Sequence, residues 1–399
     1  MTAVQADIRR RVLVTGLAVV SPLGCTVDGF WTRLVGGDVG TRSVTRFDAG
    51  SYRTSFGGEV SDFDVDSYDF APSLRGAPRS VQYATAVTQA ALRDARLPAA
   101  GDAGICMGTV MGTRPHVERL IDAGLDPTVD TSWMSSACLA EVPARQLGLS
   151  GSTHVVATGC SAGNDAIGFA YDMVATGACD RMVAGGAEEL SEAVFALFTS
   201  LRALAPDVAR PFDVHRAGIL PAEGAAALVL ESAESVAARG GRPYAEILGY
   251  GCAADAHHLT APDPSGRGLA DAVRAALSEA GRTPSDVGYV NAHGTGTPAS
   301  DGLEARALAT VFEKSTTPVS SIKGAVGHLQ GAASALEAVA CVLSLRSATI
   351  PGMPTLSAPD PECEVVDLVT VSRPSNATAA MNVAFGFGGS ASALLVGTA

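Results

Sequence analysis

Four residues of this chain are of types that carry covalent and acid–base chemistry, and each stands in a setting that could present it: Cys160, His293, Lys323 and His328. Cys160 lies in Thr158-Gly159-Cys160-Ser161-Ala162-Gly163, after Val155-Val156 and before Ala166, Ile167, Ala170, Met173 and Val174 at helical spacing. That pattern reads as strand, sharp turn, helix. A thiol just ahead of a helix N-terminus feels the positive end of the macrodipole, which favours thiolate and so makes a nucleophile. Gly159-Cys160-Ser161-Ala162-Gly163 also spells G-x-S-x-G, the elbow in which Ser161 would be the attacking group. A free cysteine can equally be a small packing residue. The turn by itself leaves these three readings open.

His293, in Asn291-Ala292-His293-Gly294-Thr295-Gly296-Thr297, and His328, in Lys323-Gly324-Ala325-Val326-Gly327-His328, each follow a predicted strand in a glycine-lined turn. One such histidine is more often structural, but two in the same setting point to a shared site. A third glycine-rich turn, Phe385-Gly386-Phe387-Gly388-Gly389, offers backbone amides to an oxyanion. It is not G-x-G-x-x-G and the chain has no P-loop, so a nucleotide cofactor has no support. The eight cysteines are scattered without a C-x-x-C pair, which indicates neither a metal site nor a disulfide framework. Of the 28 basic residues only Lys314 and Lys323 are lysine, so Lys323 stands where guanidinium would not serve.

The elements that must position these residues alternate along the chain. Residues 11–16 read as a strand, 28–34 as a helix and 41–70 as an extended surface excursion. Residues 81–97 read as a helix closed by Pro98, and 105–110, 181–186 and 225–230 as strands. The grammar repeats after Gly240-Gly241-Arg242-Pro243, which places the boundary between two halves, 1–242 and 243–399. Helices at 269–280, 303–312 and 332–345 then interleave with strands at 244–251, 287–291, 319–321, 379–384 and 391–396. This predicts mixed α/β layers with helices on the sheet faces, and suggests a duplication. A chain of 399 residues that is 47% hydrophobic has ample core. The net charge of −13 argues against nucleic acid and anionic membrane surfaces as partners. With no apolar run of about 18 residues and no signal-peptide pattern, the expectation is a cytoplasmic protein.

The order of these motifs resembles the elongating β-ketoacyl-carrier-protein synthases: T-G-C-S-A-G at Cys160, N-A-H-G-T-G-T at His293, K-x-x-x-G-H from Lys323 to His328, and G-F-G-G from Gly386. The run Pro221-Ala222-Glu223-Gly224-Ala225-Ala226 is most similar to the ketosynthase subunits of type II polyketide systems. The resemblance leaves Ser161 as a helix N-cap candidate, because the serine-elbow reading leaves both histidine motifs and the Phe-Gly loop unexplained. It implies a thiolase fold, a duplicated α-β-α-β-α five-layered architecture, and a decarboxylative Claisen condensation. In that reaction Cys160 takes the acyl group, with the oxyanion held by the amides of Cys160 and Phe387. Neutral His293 and His328 donate to the malonyl thioester carbonyl, and Lys323, paired with Glu304, orients His328. Thr295 and Thr297 hold the pantetheine, while Phe387, Gly388 and Gly389 form a gate.

No cofactor is expected to be bound by the chain, since phosphopantetheine arrives on the acyl carrier protein. That partner calls for an arginine patch at the pocket mouth. The other expected partner is a chain-length-factor-like subunit in a heterodimer, or a second copy in a homodimer, with strand 155–158 beside the interface. Pocket depth is expected to depend on side chains near Ala137, Cys138 and Phe195. The departures from the family pattern are Ala217, Ser334 and Ser390-Ala391. A non-condensing acyltransferase or scaffold of the same fold is the alternative, and fatty-acid elongation the alternative pathway.

Overall fold

A computed structural model of the chain describes residues 9–68, 72–98, 101–126, 132–312 and 317–399. Lys314 and Phe70 lie outside these residues. The alternation of strand and helix builds one continuous eleven-stranded sheet with two arms. The first arm comprises β1 (Val12–Val20), β2 (Gly104–Gly108), β3 (Thr153–Val156), β4 (Arg181–Glu188) and β5 (Gly224–Ser232), in the order β1-β5-β4-β2-β3. The second comprises β6 (Ala245–Ala254), β7 (Tyr289–Asn291), β8 (Pro318–Ser320), β9 (Ala379–Phe385) and β10 (Ser390–Gly397), in the order β6-β10-β9-β7-β8. The two-residue strand Asp367–Leu368 pairs beyond β8. Counted within each arm, both orders are 1-5-4-2-3, a repeat in topology where the sequence has no evident residue-level repeat. The arms join where β1 pairs antiparallel with β6 through Val12, Leu13 and Val14 opposite Ile247, Glu246 and Ala245.

The helices that cover the arms and position the site are α1 (Arg79–Asp94), α2 (Cys138–Leu147), α3 (Ala162–Ala175), α4 (Glu192–Ser200), α5 (Arg267–Glu279), α6 (Asp301–Val311) and α7 (Ala333–Ser347). Helices α3 and α7 lie between the arms, in a core that includes Ile167, Leu336, Val14, Leu228, Ile247 and Leu394. Every residue of α7 from Ala333 to Leu345 is buried, as a helix enclosed on all sides requires. The two helices touch closely at their first turns, where a Cβ on Gly163 would stand 2.5 Å from the Ala335 amide nitrogen. Helices α1 and α2 cover the outer face of the first arm, and α5 and α6 that of the second. The result is the five-layered α-β-α-β-α arrangement expected.

Two local expectations are corrected, and one helix is added where the sequence carried no assignment. Helix α1 ends at Asp94, before Pro98, because Arg96 adopts a left-handed conformation with φ of 56°. Helix α4 follows its Ser191 cap, whose hydroxyl accepts from the Val194 amide at 3.4 Å, a stop-and-start signal hidden between two apolar runs. Ser161 does not cap α3. Residues Gly159–Ser161 form a 3₁₀ turn that runs straight into the helix, and the single Ser161 hydroxyl hydrogen is shared instead between the Thr158 carbonyl at 3.0 Å and Asp165 at 2.9 Å.

Candidate active site

The C-terminal end of β3 delivers Cys160, that of β7 delivers His293, and β8 leads through a short helix, Lys323–Val326, to His328. These three side chains converge: the Cys160 sulfur and one ring nitrogen of each histidine lie within 4.8 Å of one another. The rings of His293 and His328 stand edge to face with centroids 5.5 Å apart, and Phe385 lies against His293 at 4.7 Å. All three open onto a cavity of about 200 Å³ that Thr295, Thr297 and Phe387 also line.

The outer contacts fix what each imidazole can do. The Gln330 amide donates to His328 Nδ1 at 3.1 Å, and the Lys323 ammonium sits 3.3 Å from His293 Nδ1. With Nδ1 accepting in both rings, the ring hydrogen is on Nε2 and faces the cavity. Burial, followed by the Lys323 charge, holds both imidazoles well below the ordinary histidine range, and His328 adds to the effect on His293. The site therefore presents two neutral N–H donors. A metal-bound imidazole turns its second nitrogen as a donor onto an acceptor, whereas both Nδ1 atoms here face donors; the cluster is not built to hold a metal ion.

Burial pushes the Cys160 thiol up to about 12, and the Lys323 charge pulls it back. The thiol is accordingly protonated at rest, which limits the expectation that a helix terminus alone would ionise it. Around it the turn is tightly bonded. Thr158 and Ser161 both donate to Asp165, Tyr250 donates to the other carboxylate oxygen at 2.8 Å, and the Ser161 and Ser390 hydroxyls are 3.1 Å apart. In the Phe387 loop the amides of Gly386, Gly388 and Gly389 donate to the carbonyls of Ser390, Leu259 and Gly386. The Phe387 amide between them has no backbone partner among the described residues. Gly386 packs on the nucleophile turn, where an added Cβ would meet the Cys160 amide nitrogen at 3.0 Å.

The lysine expectation is corrected in two respects. Lys323, 1% exposed, pairs with Glu337 of α7 and not with Glu304, and its ammonium donates to the His293 carbonyl at 2.6 Å, so it braces His293 more directly than His328. Glu304 instead accepts the amides of His293 at 2.6 Å and Gly294 at 2.7 Å, which holds the loop behind the ring; burial pushes it up to about 8. Spacing could not separate the two glutamates, since both start buried helices. Among the residues sequence reasoning missed, Phe198 lines the cavity with its ring 6.0 Å from that of Phe387, and Ser300 bonds Thr295 at 2.9 Å and Thr297 at 2.5 Å. Ala137, Cys138 and Phe195 do not line this cavity. Phe195 is wholly buried against Phe47 and Tyr52, and Phe198, one helical turn on, takes the place expected of it.

Family models of the beta-ketoacyl synthase N-terminal domain and C-terminal domain match residues 9–235 and 244–357. The chain belongs to the beta-ketoacyl synthase family. Among curated relatives of this family, it is 36% identical to 3-oxoacyl-[acyl-carrier-protein] synthase 2 of Synechocystis, covering 96% of each chain. It is 34% identical to a Streptomyces cyaneus protein described as polyketide beta-ketoacyl synthase 1, over 97% of this chain and 98% of that one. Among solved structures, the ishigamide ketosynthase/chain length factor superposes with a TM-score of 0.93 at 36% identity, covering 98% of this chain and 100% of that chain. The ketosynthase fold and its condensing-enzyme class are thereby shared by this chain.

Proposed function

We propose that the chain condenses an acyl thioester with malonyl-carrier protein by decarboxylative Claisen chemistry, in type II polyketide assembly. One observation carries the proposal: a cysteine thiol and two neutral imidazole donors, each fixed by its Nδ1 contact, converge at the base of one cavity. The Cys160 sulfur attacks the acyl thioester carbonyl, and its proton leaves with the departing pantetheine thiol, so acyl-enzyme formation is balanced. The amides of Cys160 and Phe387 serve the tetrahedral oxyanion, a use supported by the uncommitted Phe387 amide. Thr295 and Thr297 line the wall along which the pantetheine arm lies.

His293 and His328 then donate from Nε2 to the malonyl thioester carbonyl. As carbon dioxide leaves, the electron pair of the broken bond forms the enolate, which those donors stabilise. The enolate carbon attacks the acyl carbonyl on Cys160, the carbon–sulfur bond breaks, and the thiolate takes a proton from solvent water. Neutral donors suit this step because they place hydrogen on the oxygen without surrendering it. Phe387, 43% exposed between glycines, is the gate: Gly388 and Gly389 adopt φ of 86° and 76°, conformations that spare the loop a Cβ.

The sequence divides into halves 1–242, bearing the nucleophile, and 243–399, bearing both histidines and the gate. We assign the chain to the cytoplasm; no helix among the described residues is long and apolar enough to cross a membrane. The test is to separate the half-reactions. His293→Ala and His328→Ala are expected to lose carbon dioxide release from malonyl-carrier protein while still acylating Cys160, as read by intact-protein mass. Acylation without any carbon dioxide release from the unaltered enzyme would identify a non-condensing acyltransferase instead.

A further inference from the structure

Ser334 is wholly buried at the start of α7, on the opposite half of the chain from Cys160. A buried serine in a helix ordinarily spends its hydroxyl hydrogen on its own helix, four residues back. Ser334 instead donates across to the carbonyl of Cys160 at 3.2 Å and accepts the amide of Asn164 at 3.0 Å. Cys160 and Asn164 are four apart, the pair that a regular first turn of α3 joins directly. We propose that Ser334 is a positioning residue for the nucleophile: by bridging the Cys160 carbonyl and the Asn164 amide, its hydroxyl fixes the peptide that follows Cys160 and aims the thiol into the cavity.

Three further features make the bridge rigid. The peptide preceding the turn is held in the same manner, since Ser161 donates to the Thr158 carbonyl at 3.0 Å, so hydroxyls clamp the backbone on both sides of Cys160. Asn382 then ties the two partners together: its amide nitrogen donates to the Ser334 carbonyl at 2.8 Å and to Asn164 Oδ1 at 2.8 Å. Finally, Gly163 permits the approach, because a Cβ there would stand 2.9 Å from the Ser334 hydroxyl. A single hydroxyl, with one hydrogen and free lone pairs, satisfies both halves of the bridge at once. Nothing in it reaches His293 or His328, so its loss should weigh on one half-reaction only.

The inference rests on Cys160 being the nucleophile, and the experiment keeps the two apart. In the full-length enzyme, Ser334→Ala and Ser334→Gly are compared with the unaltered chain in three measurements: the single-turnover rate of Cys160 acylation, its alkylation by iodoacetamide, and carbon dioxide release from malonyl-carrier protein. The expected result is a roughly tenfold fall in acylation and alkylation with carbon dioxide release within about twofold, as befits a misaimed group. Acylation within twofold of the unaltered rate overturns the proposal, as does an equal fall in both half-reactions, which would mark general loosening. If Ser334→Ala does not fold, Ser334→Gly is read by the same criteria. An unaltered enzyme that acquires no acyl group on Cys160 would instead overturn the nucleophile assignment beneath it.

Discussion

Cys160 and Ser161 are adjacent, yet the structure gives them opposite circumstances. The thiol faces the cavity beside two imidazoles, while the Ser161 hydroxyl is committed to Thr158, Asp165 and Ser390. Cys160→Ala is therefore expected to abolish acyl-enzyme formation, and Ser161→Ala to retain the adduct on Cys160; a fluorophosphonate adduct on Ser161, mapped by peptide mass, would reverse the assignment. The histidines yield a pH prediction with a definite sign. An imidazole whose titration is depressed stays neutral below the pH at which free histidine gains its proton, about 6.5. Carbon dioxide release should thus show no loss centred at 6.5 as the pH falls, any change nearer 8 belonging to Glu304 behind the His293 loop. A loss of half the rate near 6.5 would mean that at least one ring titrates normally. Lys323 and Glu337 form a buried pair, so Lys323→Met should destabilise the fold by about 3–5 kcal/mol by leaving a carboxylate without its counter-charge. Thermal unfolding of that variant, and of the double variant with Glu337→Leu, measures this: the double replacement should recover most of the loss. Lys323→Arg should not restore turnover, because a planar fork does not fit where one ammonium meets a carbonyl, a ring nitrogen and a carboxylate.

At the scale of elements, α3 and α7 approach each other closely beside the chemistry. Gly163→Ala would push a methyl group to 2.5 Å from the Ala335 amide nitrogen, and neither buried helix can move away from a sheet. The expected cost is about 1–3 kcal/mol, measurable in denaturant unfolding, with Cys160 alkylation slowed in the folded fraction. Much of this architecture was legible in the sequence. The strand-turn-helix around Cys160 and the two strand-to-histidine turns each pair a local pattern with a local structure, and the structure brings all three together. What escaped was set by packing between distant segments. Whether Lys323 meets Glu304 or Glu337 depends on how α6 and α7 seat on the sheet, which no spacing encodes. Phe198 reached the cavity wall in place of Phe195 because one turn of α4 faces the site and the other the core. Ser334 and Ser390 stood out in the sequence as departures, but their meaning lay in the turn they touch from across the molecule.

At the scale of the whole molecule, β3 forms one edge of the sheet, and the exposed apolar residues of the chain include Ile121 and Leu125, each 57% accessible, as well as Val110 and Met134. Such an edge calls for a cover, so the chain is expected to run as a dimer in size-exclusion with light scattering. A stable active homodimer would favour the fatty-acid-like arrangement, and aggregation cured by co-expression of a homologous subunit the heterodimer. Five arginines, Arg93, Arg96, Arg239, Arg242 and Arg346, line a groove of about 590 Å³ whose lining shares no residue with the cavity. Arg202, between the cavity-lining Leu201 and Ala203, is exposed. Arg202→Glu should raise KM for an acidic carrier protein without lowering kcat, and the effect should shrink with added salt.

The matching strand orders of the two arms bear on how one centre came to hold unlike groups. Cys160 and His328 occupy corresponding places, each after the third strand of its arm and ahead of the enclosed helix, α3 or α7. Two identical polypeptides related by a twofold axis would be obliged to set the same amino acid at both places, giving a pair of thiols or a pair of imidazoles. Covalent fusion removes that obligation. Each copy can then mutate alone, and broken symmetry lets an electrophile-capturing sulfur face a proton-bearing ring across the former axis.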